Sequence, residues 1–299
     1  MHHRFFVLLL CLLVSQHVFS QKTEAVPASA EASADKPAAP SPKVVTGTIL
    51  LSTKKAPDAK ALLAALKADW KLRTDSSTAT DKTLVFSSGG ATVMLAYLDY
   101  PANPAEIAAA ARLSWLWKNA AVETSKHPAQ VVISVLGTDN HTLDLYKLFT
   151  KVAAATLQST AAIGTFMNTQ YLLLPKDFYL SSARTLLNDN ALPVYCWTYF
   201  GIMEEGLPAG ASAQEGVVSS GYTYGLRDFG LEEMEIVKAK GSASEIHATL
   251  FDAASSVIQY NTRLQDGQQF TTLEGAKLTA RKSKAAFVDG DTFKLSWGM

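Results

Sequence analysis

The sequence predicts an α+β protein: two ferredoxin-like β-α-β-β-α-β halves packed together, behind an N-terminal leader and a disordered tether. Three observations lead there. Strand-like and helix-like stretches alternate in β-α-β-β-α-β order up to about residue 160, the same order of elements returns after 161, and composition changes abruptly near Val44. The expected divisions are 1–20 leader, 21–43 tether, 44–160 first half and 161–299 second half.

Residues 1–20 read as a secretory signal peptide. Arg4 supplies the positive end, Phe5 to Val14 is a short apolar run, and Val18-Phe19-Ser20 sets up cleavage after Ser20. Leu8-Leu9-Leu10 before Cys11 lack the small residues of a lipid-attachment box, so a soluble product in the periplasm or outside the cell is expected. Gln21 to Lys43 is Ala, Pro, Ser, Lys and Glu with almost no large apolar side chain, too little to offset chain entropy. No later apolar run is long enough for a transmembrane helix. The chain carries 27 basic and 27 acidic residues, and loss of Arg4 with the leader tips the balance slightly negative. That argues against a nucleic-acid or anionic-membrane partner. Of the two cysteines, Cys196 alone lies beyond the leader, in an apolar run that suits a buried small hydrophobe.

The elements follow from local pattern. Gly47 to Leu51 reads as a strand. Pro57-Asp58 opens a helix with Leu62, Leu66 and Trp70 on one face. Thr83 to Ser87 and Ala91 to Leu98 form a hairpin around Gly89-Gly90. Asn103-Pro104-Ala105-Glu106 caps a helix towards Lys118, and Val131 to Leu136 is an interior strand. A helix covers about Asn140 to Leu157. The second half then runs strand (Thr165 to Leu174), helix from Pro175, strands Val194 to Phe200 and Val217 to Tyr224, helix from the capping box Ser242-x-x-Glu245, and strands Thr271 to Ala280 and Thr292 to Trp297.

Gly221 to Ile236 joins the Val217 strand to an acidic-apolar segment through two glycines, Gly225 and Gly230, with Leu226 and Phe229 set to pack inward. The run Thr223-Tyr224-Gly225-Leu226-Arg227-Asp228-Phe229-Gly230, followed by Glu233-Met234-Glu235-Ile236, resembles the hallmark of the domain-of-unknown-function family 4261. Leu264-Gln265-Asp266-Gly267 and Leu192-Pro193-Val194 with Trp197 resemble it too, so the likeness covers roughly Ala191 to Met299 and extends loosely to Val44. Gln268-Gln269-Phe270 departs from the Thr usual after the Asp-Gly turn, and Glu204 to Gly216 is richer in Gly and Ala than the family pattern. The resemblance implies a fold and brings no catalytic residues or cofactor with it.

Candidate chemistry is sparse. No nucleophile elbow, phosphate loop or dinucleotide motif occurs, and His127, His141 and His247 have no metal-ligand spacing, so no metal or other cofactor is expected. His127 reads as a solvated turn residue. His247 shares a helical face with Phe251, Ala254 and Ile258. Glu233 and Glu235 stand two apart, as an acid-base pair on one strand face would. Arg227 and Asp228 either pin their turn or offer a guanidinium to a carboxylate ligand. Tyr195, Trp197 and Tyr199, and Tyr222 with Tyr224, have strand period. They would form an aromatic face, covered by the Ser242 helix or open to a peptide, glycan or small apolar ligand. The reading preferred is a binding or interaction module for a protein, peptide or small molecule. The alternative is a hydrolase with a cleft between the halves, using Glu233/Glu235 or Arg227/Asp228.

Replacing Leu9 and Leu10 by aspartate is expected to leave the full-length precursor in the cytoplasm. The unaltered chain, sequenced from its N-terminus after export, should begin at Gln21; retention of Met1 would rule out a cleaved leader.

Overall fold

Seven strands, β1 (Pro42–Leu51), β2 (Ser76–Ala79), β3 (Thr83–Ser88), β4 (Ala91–Leu98), β5 (Ala129–Thr138), β6 (Ala162–Met167) and β7 (Leu172–Pro175), make one antiparallel sheet in the order β2-β3-β4-β5-β1-β6-β7. Six more, β8 (Tyr199–Gly206), β9 (Val218–Tyr224), β10 (Met234–Lys240), β11 (Gln269–Thr271), β12 (Lys277–Lys284) and β13 (Asp291–Trp297), make a mixed sheet in the order β11-β12-β13-β10-β9-β8. Among the described strands only the β10–β13 pairing is parallel. The helices are α1 (Ala59–Ala68), α2 (Pro104–Leu113), α3 (Ala120–Thr124), α4 (Thr142–Ser159), α5 (Lys176–Asn188) and α6 (Ala243–Tyr260). This computed structural model describes residues 41–188, 191–206 and 217–297. The leader, nearly all of the tether and most of the loop Glu204 to Gly216 lie outside the described residues.

Local signals set the helix starts. The Ala61 N–H donates to Asp58 Oδ1 at 3.0 Å, capping α1. Asn103 Oδ1 accepts from the Ala105 N–H at 3.0 Å, and proline at the first turn of α2 gives up no needed donor. Both halves of the Ser242/Glu245 capping box form on α6. In the β3–β4 hairpin Gly89 and Gly90 both take positive φ.

The mixed α/β class holds, but the strands do not join as two ferredoxin-like halves. A split β-α-β unit would seat β1 between β4 and β5. Instead β5 lies between β4 and β1, and β1 pairs on its other side with β6. The segment read as the opening strand of the second half is the hairpin β6–β7, which extends the first sheet. It turns at the polar Asn168–Gln170, with Tyr171 in the left-handed region. Val194 to Phe200 is not one strand. After Pro193 the chain makes a 3-10 turn at Val194–Cys196, which buries Val194, Cys196, Trp197 and Thr198 together instead of alternately, and β8 begins at Tyr199. The acidic-apolar segment after the motif is β10, a central strand of the second sheet.

Alternation along β1 divides the core. Val45, Ile49 and Leu51 face a large apolar interior shared with α1, α4, α5, α6 and one face of the second sheet. Leu50 points the other way, to a smaller cluster with Ile107 and Ala110 of α2, Trp117 and Ala120. Helix α4 packs on β1, β5 and β6 and is buried on most sides from Leu145 to Leu157, with Lys147 and Lys151 on its partly open side. Cys196 is fully buried, and burial pushes its thiol far above the ordinary range. His127 is buried as well, not solvated. Its Nε2 accepts the Ala102 N–H at 2.8 Å and its Nδ1 meets the Thr124 carbonyl at 2.5 Å, so the ring ties two loops together.

β1 starts earlier than its apolar pattern suggests. Ser41 and Asp139 exchange two hydrogen bonds (2.9 and 3.0 Å), and Lys43 Nζ donates to the Asp228 carbonyl at 2.8 Å. A chain begun at Ser41 should melt within about 2 °C of one begun at Gln21, whereas one begun at Val44 should melt about 3–6 °C lower, for roughly 1–2 kcal/mol of lost bonds. Differential scanning calorimetry decides. Equal melting of the Ser41 and Val44 chains would mean the strand end contributes nothing.

Candidate functional site

The motif between β9 and β10 is a closed turn. Gly225 (φ +129°) and Gly230 (φ +71°) flank a 3-10 turn, Leu226–Phe229. A Cβ on Gly225 would also stand 2.8 Å from the Trp197 carbonyl oxygen, so a side chain is excluded there on two grounds. Glu233, almost fully buried, closes the turn from inside. It accepts the Thr223 hydroxyl and the Gly225 N–H at 2.8 Å each, and the Arg227 N–H at 3.3 Å. Phe229 packs against Tyr146 (ring centroids 4.5 Å apart) and Trp197 (5.8 Å).

Arg227 and Asp228 diverge. The exposed Arg227 guanidinium donates to the carbonyls of Asp289 (2.5 Å) and Asp291 (3.3 Å), tying the turn to the β12–β13 loop. Asp228 turns inward and accepts from the Tyr146 hydroxyl and from Gln170 Nε2, both at 2.5 Å. Burial, then the Asp228 charge, hold the Tyr146 hydroxyl far above the usual phenol range. Glu235 is fully buried and accepts from the Ala286 and Phe287 N–H groups and the Lys294 ammonium. Burial raises its carboxyl, but those donors outweigh burial and hold it below the ordinary carboxylate range. The two glutamates and the Arg-Asp pair therefore serve separate internal partners and do not converge on one cleft.

The aromatic residues also part company. Trp197 is fully buried and donates from Nε1 to Thr150 Oγ1 at 2.8 Å. Tyr199 and Tyr222 lie 6.0 Å apart by ring centroid on adjacent strands; burial, then Tyr222, push the Tyr199 hydroxyl up to about 12. Phe287 stacks on Tyr222 at 5.5 Å, and Tyr171 stands 6.4 Å from Tyr224. Helix α6 covers the opposite face of this sheet, where Ile246 and Leu250 sit against Gly221.

Tyr195 belongs elsewhere, in a groove of about 860 Å³ between α5 and α6. There Phe251 stacks on Tyr195 at 4.3 Å and His247 stacks on it at 5.6 Å, while Phe178 meets it edge-on at 5.7 Å. The Tyr195 hydroxyl lies 3.3 Å from His247 Nε2, and Trp115 contacts the outer side of His247 at 5.0 Å. Burial lowers the His247 pKa and raises that of Tyr195, which favours the neutral form of each. At the far end Tyr260 and Leu273 are 68% and 48% exposed at the rim. Asp252 and Ser255, both buried, line the groove beside Phe251. Asp252 accepts the Glu274 N–H at 3.2–3.3 Å, and Leu273 N–H donates to Ser256 Oγ at 2.7 Å, so α6 also fixes the Thr272–Ala276 turn.

Of the sequence stripe, His247 and Phe251 mark part of this wall, whereas Ala254 and Ile258 lie in the core. Asp252 and Ser255 were missed, although polar residues inside an otherwise apolar helical stretch are the signal that points to a lined cavity. Phe178 reads only as a core residue, because its ring meets Tyr195 across a long sequence separation.

Asp228→Ala leaves the Tyr146 and Gln170 donors without their carboxylate and should cost about 2–4 kcal/mol by chemical denaturation. Arg227→Ala, at an exposed bend, should stay within about 1 kcal/mol. For Glu235 the depressed folded pKa means its contribution is present above the unfolded carboxylate value of about 4.3 and lost as pH falls through the folded value. The stability gap between the native chain and Glu235→Gln should therefore narrow below about pH 4, and a gap constant down to pH 2 would contradict this linkage.

No curated protein and no solved structure matches the chain. Residues 222–296, from the second half of β9 through the motif, β10 and α6 to β13, match the family model described as Domain of unknown function (DUF4261).

Proposed function

We propose that this chain is an exported, non-catalytic binding module that takes a small ligand in the groove between α5 and α6. The observation that carries the reading is the groove itself. Its volume of about 860 Å³ falls within the 300–1,000 Å³ usual for ligand pockets. Its wall is a ladder of stacked rings with a few polar groups set among them, the mix that fixes a ligand by apolar contact and orients it by hydrogen bonds. Export is supported by the leader-like residues 1–20. The module reading is preferred to a hydrolase because Glu233, Glu235, Arg227 and Asp228 all bond to groups within the fold. A carboxylate enclosed by its own backbone donors is a poor proton shuttle for a substrate.

Amide chemical-shift mapping with a set of amphiphilic fragments tests this. Shifts are expected in residues 178–195 and 247–260. Tyr260→Ala and Leu273→Ala should weaken binding several-fold while moving the melting temperature by less than about 2 °C, since both residues are exposed. Shifts confined to another surface, or binding indifferent to both substitutions, would overturn the reading.

A further inference from the structure

Asp252 and Ser255 stand three residues apart on α6, so they neighbour each other on one helical face. Asp252 is only 8% exposed, yet among the described residues its two oxygens share a single backbone donor, the Glu274 N–H. A carboxylate has about four acceptor positions. Ser255 beside it is 9% exposed, and its hydroxyl oxygen is closed to solvent and without a partner among the described residues. Buried polar groups of this kind are normally satisfied, and a ligand is one way to satisfy them. Glu274 adds a second carboxylate at the rim, and the described lining includes no lysine or arginine. Phe251 and Tyr195 supply ring faces beside these acceptors. Acceptors, negative charge and π faces together complement one ligand chemistry: a cation with hydrogen-bond donors.

We infer that the groove binds a small organic amine, its ammonium held by Asp252 and its apolar body laid along Phe251, Tyr195 and Tyr260. The inference rests on the groove being a binding site and adds the charge of what it takes. An anionic ligand of the same shape is disfavoured by both carboxylates. A neutral one loses the charge-assisted bonds.

Titration calorimetry of the full chain with three ligands sharing an indole body separates these points: tryptamine, tryptophol and indole-3-acetate. Tryptamine is expected to bind about tenfold or more tighter than tryptophol, with indole-3-acetate weakest. Asp252→Asn keeps an acceptor for the Glu274 N–H and should bring the ratio of tryptamine to tryptophol affinity close to one. Glu274→Gln, at the exposed rim, should reduce the advantage about two- to threefold and provides the test if Asp252→Asn does not fold. Equal affinity for tryptamine and tryptophol would overturn the amine inference and leave the groove standing as a binding site. So would a tryptamine preference that survives Asp252→Asn or, where that variant does not fold, one that Glu274→Gln leaves undiminished. No binding of any of the three would overturn the amine inference, and the fragment mapping then decides separately whether the groove binds a ligand.

Discussion

The contact on which the two sheets depend is the Asp228 carboxylate between Tyr146 and Gln170. Tyr146 belongs to the helix buried against the first sheet, Gln170 to the β6–β7 turn of that same sheet, and Asp228 to the motif of the second. A half-buried anion is costly to desolvate, so it is tolerated only because two donors meet it. The rings of Tyr146, Phe229 and Trp197 surround the contact and supply the apolar burial that the polar bonds then orient. Apolar area holds the layers together; the carboxylate decides where along α4 the motif seats.

The same device recurs. Glu233 gathers the N–H groups of its own turn, Glu235 gathers those of Ala286 and Phe287 together with Lys294, and Asp252 holds the Thr272–Ala276 turn through Glu274. Each buried carboxylate fixes an irregular segment whose backbone donors have no strand to pair with. Asp252 differs from Glu233 and Glu235 in having one donor where they have several. That shortfall, beside an aromatic wall, is the observation on which the proposed binding role of Asp252 rests.

The second sheet shows how one strand serves both ends. Met234 and Ile236 of β10 pack into the core, while Glu235 between them reaches the loop after β12 from the other face. The outward tyrosines are consequently met by Phe287 and Tyr171, and the open aromatic surface lies instead at α5 and α6.

The sequence alone determined what is local. The caps at Asp58, Asn103 and Ser242, the Gly89-Gly90 hairpin, the helical stripes and the two motif glycines could all be read, because each depends on residues within one or two turns of chain. The resemblance carried by the Gly225 to Gly230 run was legible for the same reason. Tertiary structure alone decided which strands pair. β6 and β7 join the first sheet and β10 lies beside both β9 and β13 because apolar faces are satisfied by partners far away in the chain, which periodicity does not name. It also decided that Trp197 is core and Tyr195 is groove. The 3-10 turn after Pro193 breaks the alternation that would have set them on one face. His247 and Phe251 could be placed on a stripe from sequence, but the unmet acceptor at Asp252 could not. Whether a carboxylate is saturated depends on which backbone folds over it.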